Sequence, residues 1–328
     1  MSRRGELLRM LADGGEHSGE ELAARLGVTR AAVWKQLQQL GEWGLELEAL
    51  PRRGYRLAAP LDLLDRQAIR RALPELVAGR LRRLEVHEEL ASTNDQLLQS
   101  TDLPEGRFDA CLAEFQSAGR GRRGRHWIAP FASGLCLSLN WNWRYPPAGL
   151  GALSLAVGVA VLAALRAQGI AGLALKWPND ILREGAKLGG ILIDLRAEGA
   201  GPAYAVIGVG LNVALPGAAR RAIAARGTTP ADLAGGPGAL PRRSALAAAL
   251  LAGIVSTLVE FSARGFAAFA DDWRAADALR DQPVRIEQGS GSVSGIARGI
   301  DPDGALLVDT GAGRERFISG EVSLRPAA

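Results

Sequence analysis

The chain has 328 residues, is 48% hydrophobic and 23% charged, and carries a formal net charge of +4. At roughly 100–200 residues per domain this length makes two or three folded domains, and so apolar a composition excludes a disordered chain. Two cysteines, Cys111 and Cys136, and three scattered histidines, His17, His87 and His126, exclude a disulfide framework or a four-ligand zinc site, so no protein-held metal is expected.

The first residues meet Glu6 before any long apolar run, unlike a signal peptide. The uncharged stretch 145–165 opens with Pro146-Pro147 and is diluted by Gly149, Gly151 and Gly158, which predicts a buried helix rather than a membrane span. A soluble, cytoplasmic protein without a membrane partner is expected. Only Lys35, Lys176 and Lys187 among the 39 basic residues are lysines. In a chain that uses arginine almost everywhere, a retained lysine marks a place for a compact ammonium rather than a planar fork.

Residues 1–63 read as a winged helix-turn-helix. Leu7, Leu8 and Leu11 form one helical face, closed by Gly14-Gly15. Ser18 with Glu21 is a capping box that opens a second helix running to Leu26. After Gly27-Val28, Thr29 caps a third helix, whose Val33, Leu37 and Leu40 face the core. Its other face carries Arg30, Ala31, Trp34, Lys35 and Gln38, a polar recognition surface. A hairpin with Arg52 and Arg53 at its turn forms the wing. Residues 1–60 hold nine Lys/Arg against eight Asp/Glu, so phosphate attraction has to come from local clusters and dimerisation rather than from a basic field. A small helical domain that binds protein is the bland alternative. Ala58-Ala59-Pro60 is a linker expected to separate this domain from the rest.

From 64 to 276, strands near 190–195 and 205–209 alternate with Ala/Leu-rich helices near 149–168 and 244–263, which makes a mixed α/β domain. From 277 to 328, short strands at 284–287, 291–298, 305–309 and 314–317 with Gly/Asp turns predict a small β-barrel. The whole chain is therefore α+β.

The strongest chemical signal is Gly119-Arg120-Gly121-Arg122-Arg123-Gly124-Arg125-His126-Trp127. Its glycines let backbone N–H groups approach an anion, and its arginines neutralise phosphate, so the loop is expected to fold over a ligand. An exposed nucleic-acid loop is the competing reading. Lys176-Trp177-Pro178-Asn179-Asp180 sets an amide beside a carboxylate after a lysine, although Pro-Asn-Asp alone also suits an ordinary turn. Lys187-Leu-Gly-Gly190 precedes a buried strand. In Ile207-Gly-Val-Gly-Leu-Asn212, alternation puts Gly208 and Gly210 on one face, with room for a ligand ring. Ser92-Thr93-Asn94 and Gln116 add hydroxyls and amides. No Ser-His-Asp or Cys-His arrangement is apparent. Such a site suits adenylation, in which a substrate carboxylate attacks the α-phosphate of ATP and positioning does the catalysis.

These motifs, in this order and over essentially the whole chain, resemble the bifunctional biotin–protein ligases and biotin operon repressors. The resemblance implies a catalytic domain of the class II synthetase and biotin–lipoate ligase type, and an SH3-like β-barrel at the C-terminus. It implies that biotin and ATP, with Mg²⁺, give biotinyl-5′-AMP, and that biotin then passes to a lysine of the biotin carboxyl carrier protein of acetyl-CoA carboxylase. The adenylate-bound homodimer would bind operator DNA and repress biotin synthesis genes.

Carried over residue by residue, the resemblance places Ser92, Thr93, Asn94, Gln116, Gly119, Arg120, Arg122, Lys187, Gly190 and Gly208 at biotin. Arg120, Arg122, Arg125, Trp127, Asn179, Asp180, Lys187, Asn212 and Arg325 fall at ATP or the adenylate. Lys187, Arg122, Asp180 and Lys176 carry the chemistry. Thr29, Arg30, Ala31, Trp34, Lys35, Gln38, Arg52 and Arg53 meet DNA. One departure stands out: some members set an aromatic over the adenine, and residues 216–229 here hold none. A lipoate–protein ligase and a non-reacting metabolite sensor are the rival readings. The Gly-Arg loop and winged helix favour biotin over lipoate, and the retained Lys176 and Lys187 argue against a sensor.

Overall fold

Local hydrogen bonding decides the first helices. In the computed structural model, which describes residues 3–100, 102–197, 201–236, 239–288, 291–318 and 321–324, they are α1 (Arg3–Leu11), α2 (Gly19–Leu26) and α3 (Arg30–Gln39). Ser18 Oγ accepts from the Glu21 N–H at 3.0 Å, and Thr29 Oγ1 from that of Ala32 at 3.2 Å. Removing a cap of this kind costs about 1 kcal/mol. Gly27, at φ 63°, ends α2 in the left-handed region. Val33, Leu37 and Leu40 bury against Leu7, Leu8, Leu11 and Leu22, and an antiparallel hairpin of β1 (Leu47–Leu50) and β2 (Gly54–Leu57) completes the wing.

The linker does not hold this domain apart. Leu61 N–H bonds to the Ala12 carbonyl at 2.8 Å. Trp43 stacks on Phe131 with centroids 4.6 Å apart, and its indole N–H donates to Glu89 Oε2 at 3.1 Å. The expectation of separation fails because Trp43 is apolar surface that α1–α3 cannot bury alone. Phe131 therefore joins their core.

The central elements follow as α4 (Arg66–Ala72), α5 (Glu75–Ala78), β3 (Leu81–Leu90), α6 (Thr93–Leu98), β4 (Phe108–Gln116), β5 (Gly134–Trp143), α7 (Leu153–Ala167), β6 (Leu173–Lys176), β7 (Asp180–Arg183), β8 (Ala186–Ala197), β9 (Ala203–Asn212), α8 (Gly217–Ala224), α9 (Arg243–Arg264) and α10 (Ala270–Ala275). The sheet order is β3-β4-β5-β9-β8-β7-β6, with β3 and β4 parallel and the other neighbours antiparallel. Alternation sorts the two faces. Leu135, Leu137 and Leu139 of β5 join Ile207, Val209 and Leu211 of β9 in one core with α7 and α9. Each such buried side chain stabilises by about 1.5–3 kcal/mol. The intervening Cys136, Ser138, Gly208 and Gly210 share the opposite face, with Gly208 beside Ser138 and Leu192, and Gly210 beside Cys136 and Gly190. The stretch that resembled a membrane span is thus largely α7, a core helix.

Arg243, 2% exposed at the start of α9, bonds Glu114 Oε2 at 2.6 Å and the Gly134 carbonyl at 2.6 Å. Glu114 Oε1 in turn accepts from the Leu64 N–H, so one buried ion pair fastens the linker's end to the sheet.

The C-terminal strands β10 (Pro283–Gln288), β11 (Gly291–Ile300), β12 (Leu306–Thr310), β13 (Gly313–Phe317) and β14 (Glu321–Leu324) form an antiparallel sheet in the order β13-β12-β11-β10-β14. This is the small β domain expected there, with β14 added to the four predicted strands. The Trp177 indole donates to the Gly304 carbonyl at 3.0 Å, which ties that domain to the Lys-Trp-Pro-Asn-Asp segment.

Candidate active site

The face of the sheet away from α7 and α9 lines a cavity of about 830 Å³. Helix α6 brings the Ser-Thr-Asn motif to it. Ser92 Oγ caps that helix by accepting from the Asp95 N–H at 3.3 Å. Thr93 donates its N–H to Gln116 Oε1 at 2.7 Å, and its hydroxyl lies 2.7 Å from that of Ser138. Ser138 Oγ donates to Asn94 Oδ1 at 2.6 Å, and Asn94 Nδ2 donates to Asp194 Oδ2 at 2.8 Å. Ser92, Thr93, Asn94 and Gln116 are all buried, so this network fixes their rotamers. Sequence reasoning did not assign a role to Ser138 or Asp194. The available signal was a polar residue at every second place in β5, where Cys136, Ser138 and Asn140 interrupt large apolar side chains.

The alternating glycines do something other than leave an open slot for a ring. A Cβ at Gly208 would overlap the Asn94 amide, and one at Gly210 would come within 2.6 Å of the Trp127 indole. Both gaps are filled by protein side chains, because the Ser-Thr-Asn turn and the Gly-Arg loop fold down onto β9. Gly190 is different: its Cβ would stand 3.7 Å from Lys187 Cε, an ordinary contact. Gly119 does not line the cavity. It is pinched against the Trp127 carbonyl, where a Cβ would come within 2.6 Å.

The Gly-Arg loop is a closed turn. Trp127 N–H bonds to the Gly119 carbonyl at 2.8 Å, and Gly121 N–H to that of Arg125 at 2.6 Å. Arg123 and Gly124, at φ 55° and 73°, make the reversal. Arg120, Arg122 and Arg125 line the cavity, whereas Arg123 reaches the Glu287 carbonyl of β10 at 3.4 Å. Arg120 bonds Asp95 at 2.7 Å and Asp194 at 2.9 Å, so two carboxylates already offset its charge.

At the other end, Lys187 Nζ lies 2.6 Å from Asp180 Oδ1. Asn179 Nδ2 donates to the Ile191 carbonyl at 2.8 Å, and Asn212 Nδ2 to that of Ala231 at 3.0 Å, so both amides orient backbone while facing the cavity. Lys176 lines the same wall. The segment read as an aromatic-free loop contains α8, and Ile223 and Arg226 from it also line the cavity. Arg325 lies outside the described residues. Burial pushes the Cys136 thiol on the cavity wall up to about 12, so it stays protonated near neutral pH and is no nucleophile.

On the winged helix, Thr29, Arg30, Ala31, Lys35 and Gln38 are exposed along one face of α3, and Trp34, 44% exposed, tilts against Tyr55 of the wing. Arg53, at the wing tip, is ion-paired with Glu16 at 2.6 Å.

The same arrangement of parts occurs in known proteins. The bifunctional ligase/repressor BirA of Salmonella typhimurium is 38% identical over 98% of this chain and 97% of its own length. The chain belongs to the biotin protein ligase family. Within this family, the BirA protein of Escherichia coli K12 is 37% identical over 98% of the chain and 97% of its own length. Residues 87–212 match the biotin/lipoate A/B protein ligase family, 281–325 the biotin protein ligase C-terminal domain, and 3–56 an HTH domain. The biotin protein ligase of Aquifex aeolicus, solved in complex with biotin and ATP, superimposes with a TM-score of 0.61 at 25% identity, over 75% of this chain and all of that one. These matches bear out the fold class and the family resemblance read from the motifs.

Proposed function

We propose that this cavity activates biotin with ATP and passes it to a lysine of a biotin carboxyl carrier protein of acetyl-CoA carboxylase. The observation that carries the reading is the pairing, in one cavity, of the polar Thr93–Ser138–Asn94–Asp194 network with the Lys187–Asp180 pair at the other end. The network suits the ureido ring of biotin, which offers both donors and a carbonyl. A dithiolane ring, as in lipoate, has no N–H or carbonyl with which to bond these groups.

Thr93, Asn94, Gln116 and Ser92 hold the ring, with Gly208 seating Asn94, Gly190 leaving room beside Lys187 and Gly119 setting the start of the loop. Lys187, assisted by Lys176, bears on the carboxylate as it attacks the α-phosphorus and pyrophosphate leaves. Arg122 and Arg125, with Arg120, retain the adenylate. The carrier amine then attacks the acyl carbon, AMP departs, and the amine gives up its proton. Trp127 and Asn212 flank the adenosine, and Ile223 with Arg226 covers the adenine where some members of the family set an aromatic. Asn179 and Asp180 hold the nucleotide end. One carboxylate there fits Mg²⁺, which binds through few carboxylates plus phosphate oxygens and neutralises phosphate charge.

The functional parts divide near residues 63 and 276. The winged helix binds operator DNA, and the adenylate-bound chain pairs as a homodimer to span two half-sites. Both activities belong in the cytoplasm, where ATP and DNA are. Incubating the protein with labelled biotin or lipoate, ATP and a carrier domain tests the ligase reading. Pyrophosphate release and carrier labelling with biotin alone are expected, and labelling with lipoate in its place would overturn the assignment.

A further inference from the structure

Away from the cavity, three side chains of different chemistry converge on β3 and β4. Residues i and i+2 of a strand share a face, which puts Glu85 and His87 together, and the parallel register sets Cys111 of β4 beside Glu85. His87 Nε2 lies 2.9 Å from Glu85 Oε2, and the ligand atoms of all three residues lie within 4.8 Å of one another. The spacing of cysteines and histidines along the chain gave no hint of this, because the register of two strands more than twenty residues apart creates it.

We propose that Glu85, His87 and Cys111 form a binding site for one divalent cation of the zinc class. Carboxylate oxygen, imidazole nitrogen and thiolate sulfur form a donor set that zinc accepts, with the fourth position left to water. Bonds of about 2.0–2.3 Å to a tetrahedral centre set donor atoms about 3.4–3.8 Å apart, which small side-chain rotations on fixed strands achieve here. Gln96 of α6 donates to Glu85 Oε2 at 3.2 Å, and Arg83 bears on Glu85 Oε1 at 3.3 Å, so the carboxylate is already oriented from both sides. The Arg83 charge does not close the site to a cation. It is shared with Asp109, at 3.3 Å.

Charges balance once the ion is in. One carboxylate and one thiolate neutralise a divalent ion, and His87 binds as the neutral imidazole. Cys111 is fully buried, and burial holds its thiol above the usual range. Binding therefore forms a metal–sulfur bond and releases the thiol proton to solvent, and affinity rises about tenfold per pH unit. Access is from solvent, to which the side chains of His87 and Glu85 are 33% and 20% exposed.

Cobalt(II), which substitutes for zinc and is coloured, provides the test. The full-length protein, stripped with a chelator and free of biotin and ATP, is titrated with Co²⁺. A near-ultraviolet thiolate-to-cobalt charge-transfer band is expected, saturating at one equivalent and erased by Zn²⁺. Cys136→Ser keeps the band and Cys111→Ser loses it. Should Cys111→Ser fail to fold, His87→Ala and Glu85→Gln, at the half-buried rim, decide the matter by weakening Co²⁺ about tenfold or more. No band in the wild type, a band surviving Cys111→Ser, or wild-type affinity in both rim variants would overturn the proposal. The test has no catalytic readout, so it stands or falls apart from the ligase reading.

Discussion

Lys187 Nζ lies 2.6 Å from Asp180 Oδ1, on adjacent strands at one end of the cavity. The lysine side chain passes close to Gly190, whose backbone pairs with Asp180. An ammonium held this way is a point charge that a carboxylate has already aimed.

Lys187→Arg is expected to lower biotin-dependent pyrophosphate release by about 100-fold, the usual cost of losing one transition-state donor. The planar fork retains the charge but cannot occupy the space between Gly190 and Asp180. Because the two residues act as a unit, Lys187→Arg combined with Asp180→Asn should be little worse than either single change. Fully additive losses, measured by a pyrophosphate-release assay on all three variants, would mean the ion pair is incidental.

The glycines of the cavity should separate cleanly. Gly208→Ala displaces Asn94 and is expected to raise the KM for biotin about tenfold or more, since it breaks a satisfied buried network. Gly190→Ala makes only ordinary contacts and should leave that KM within about twofold. Initial-rate kinetics on the two variants check the contrast, and the reverse order would mean that the ligand, not Asn94, occupies the space over Gly208.

Asp277 gives a pH dependence. Burial raises its carboxyl from 3.8 to about 6, and its Oδ2 has no hydrogen-bond partner among the described residues. The folded state therefore favours the protonated acid. Its contribution to stability is full below pH 4 and is lost as pH rises through about 6. The loss is about 3 kcal/mol. Asp277→Asn should accordingly raise Tm at pH 8 by a few degrees and change it little at pH 4. Parallel Tm-against-pH profiles for the two proteins would count against this.

At the DNA end, Lys35→Ala is expected to weaken operator binding and reduce the salt dependence by about one phosphate contact, with ligase turnover unchanged. Trp43→Ala should disturb both activities, because the indole touches Phe131 and Glu89 of the catalytic part. Gel shifts with and without biotin and ATP, run beside carrier labelling, separate the two. Tighter operator binding with both ligands is expected if the adenylate drives dimerisation, and equal affinity in the two states would remove ligand gating.

What the sequence determined by itself was local or periodic. The Ser18 and Thr29 caps, the turn at Gly27 and the core stripe Val33–Leu37–Leu40 each involve residues within a turn or two of one another, and each stands where the pattern put it. The Gly-Val-Gly-Leu-Asn segment was legible because alternation assigns a face without any partner, and the Gly-Arg and Lys-Trp-Pro-Asn-Asp segments because of the charged and amide groups they gather within a few residues. Only the tertiary structure decided who fills that face. Asn94 meets Asp194 one hundred residues along the chain, Trp127 covers Gly210, and Glu85 meets His87 and Cys111 through strand register. The Trp43–Phe131 stack depends in the same way on how two cores pack together. Register and packing minimise the free energy of the whole sheet and its helices at once, and no window of sequence contains that sum.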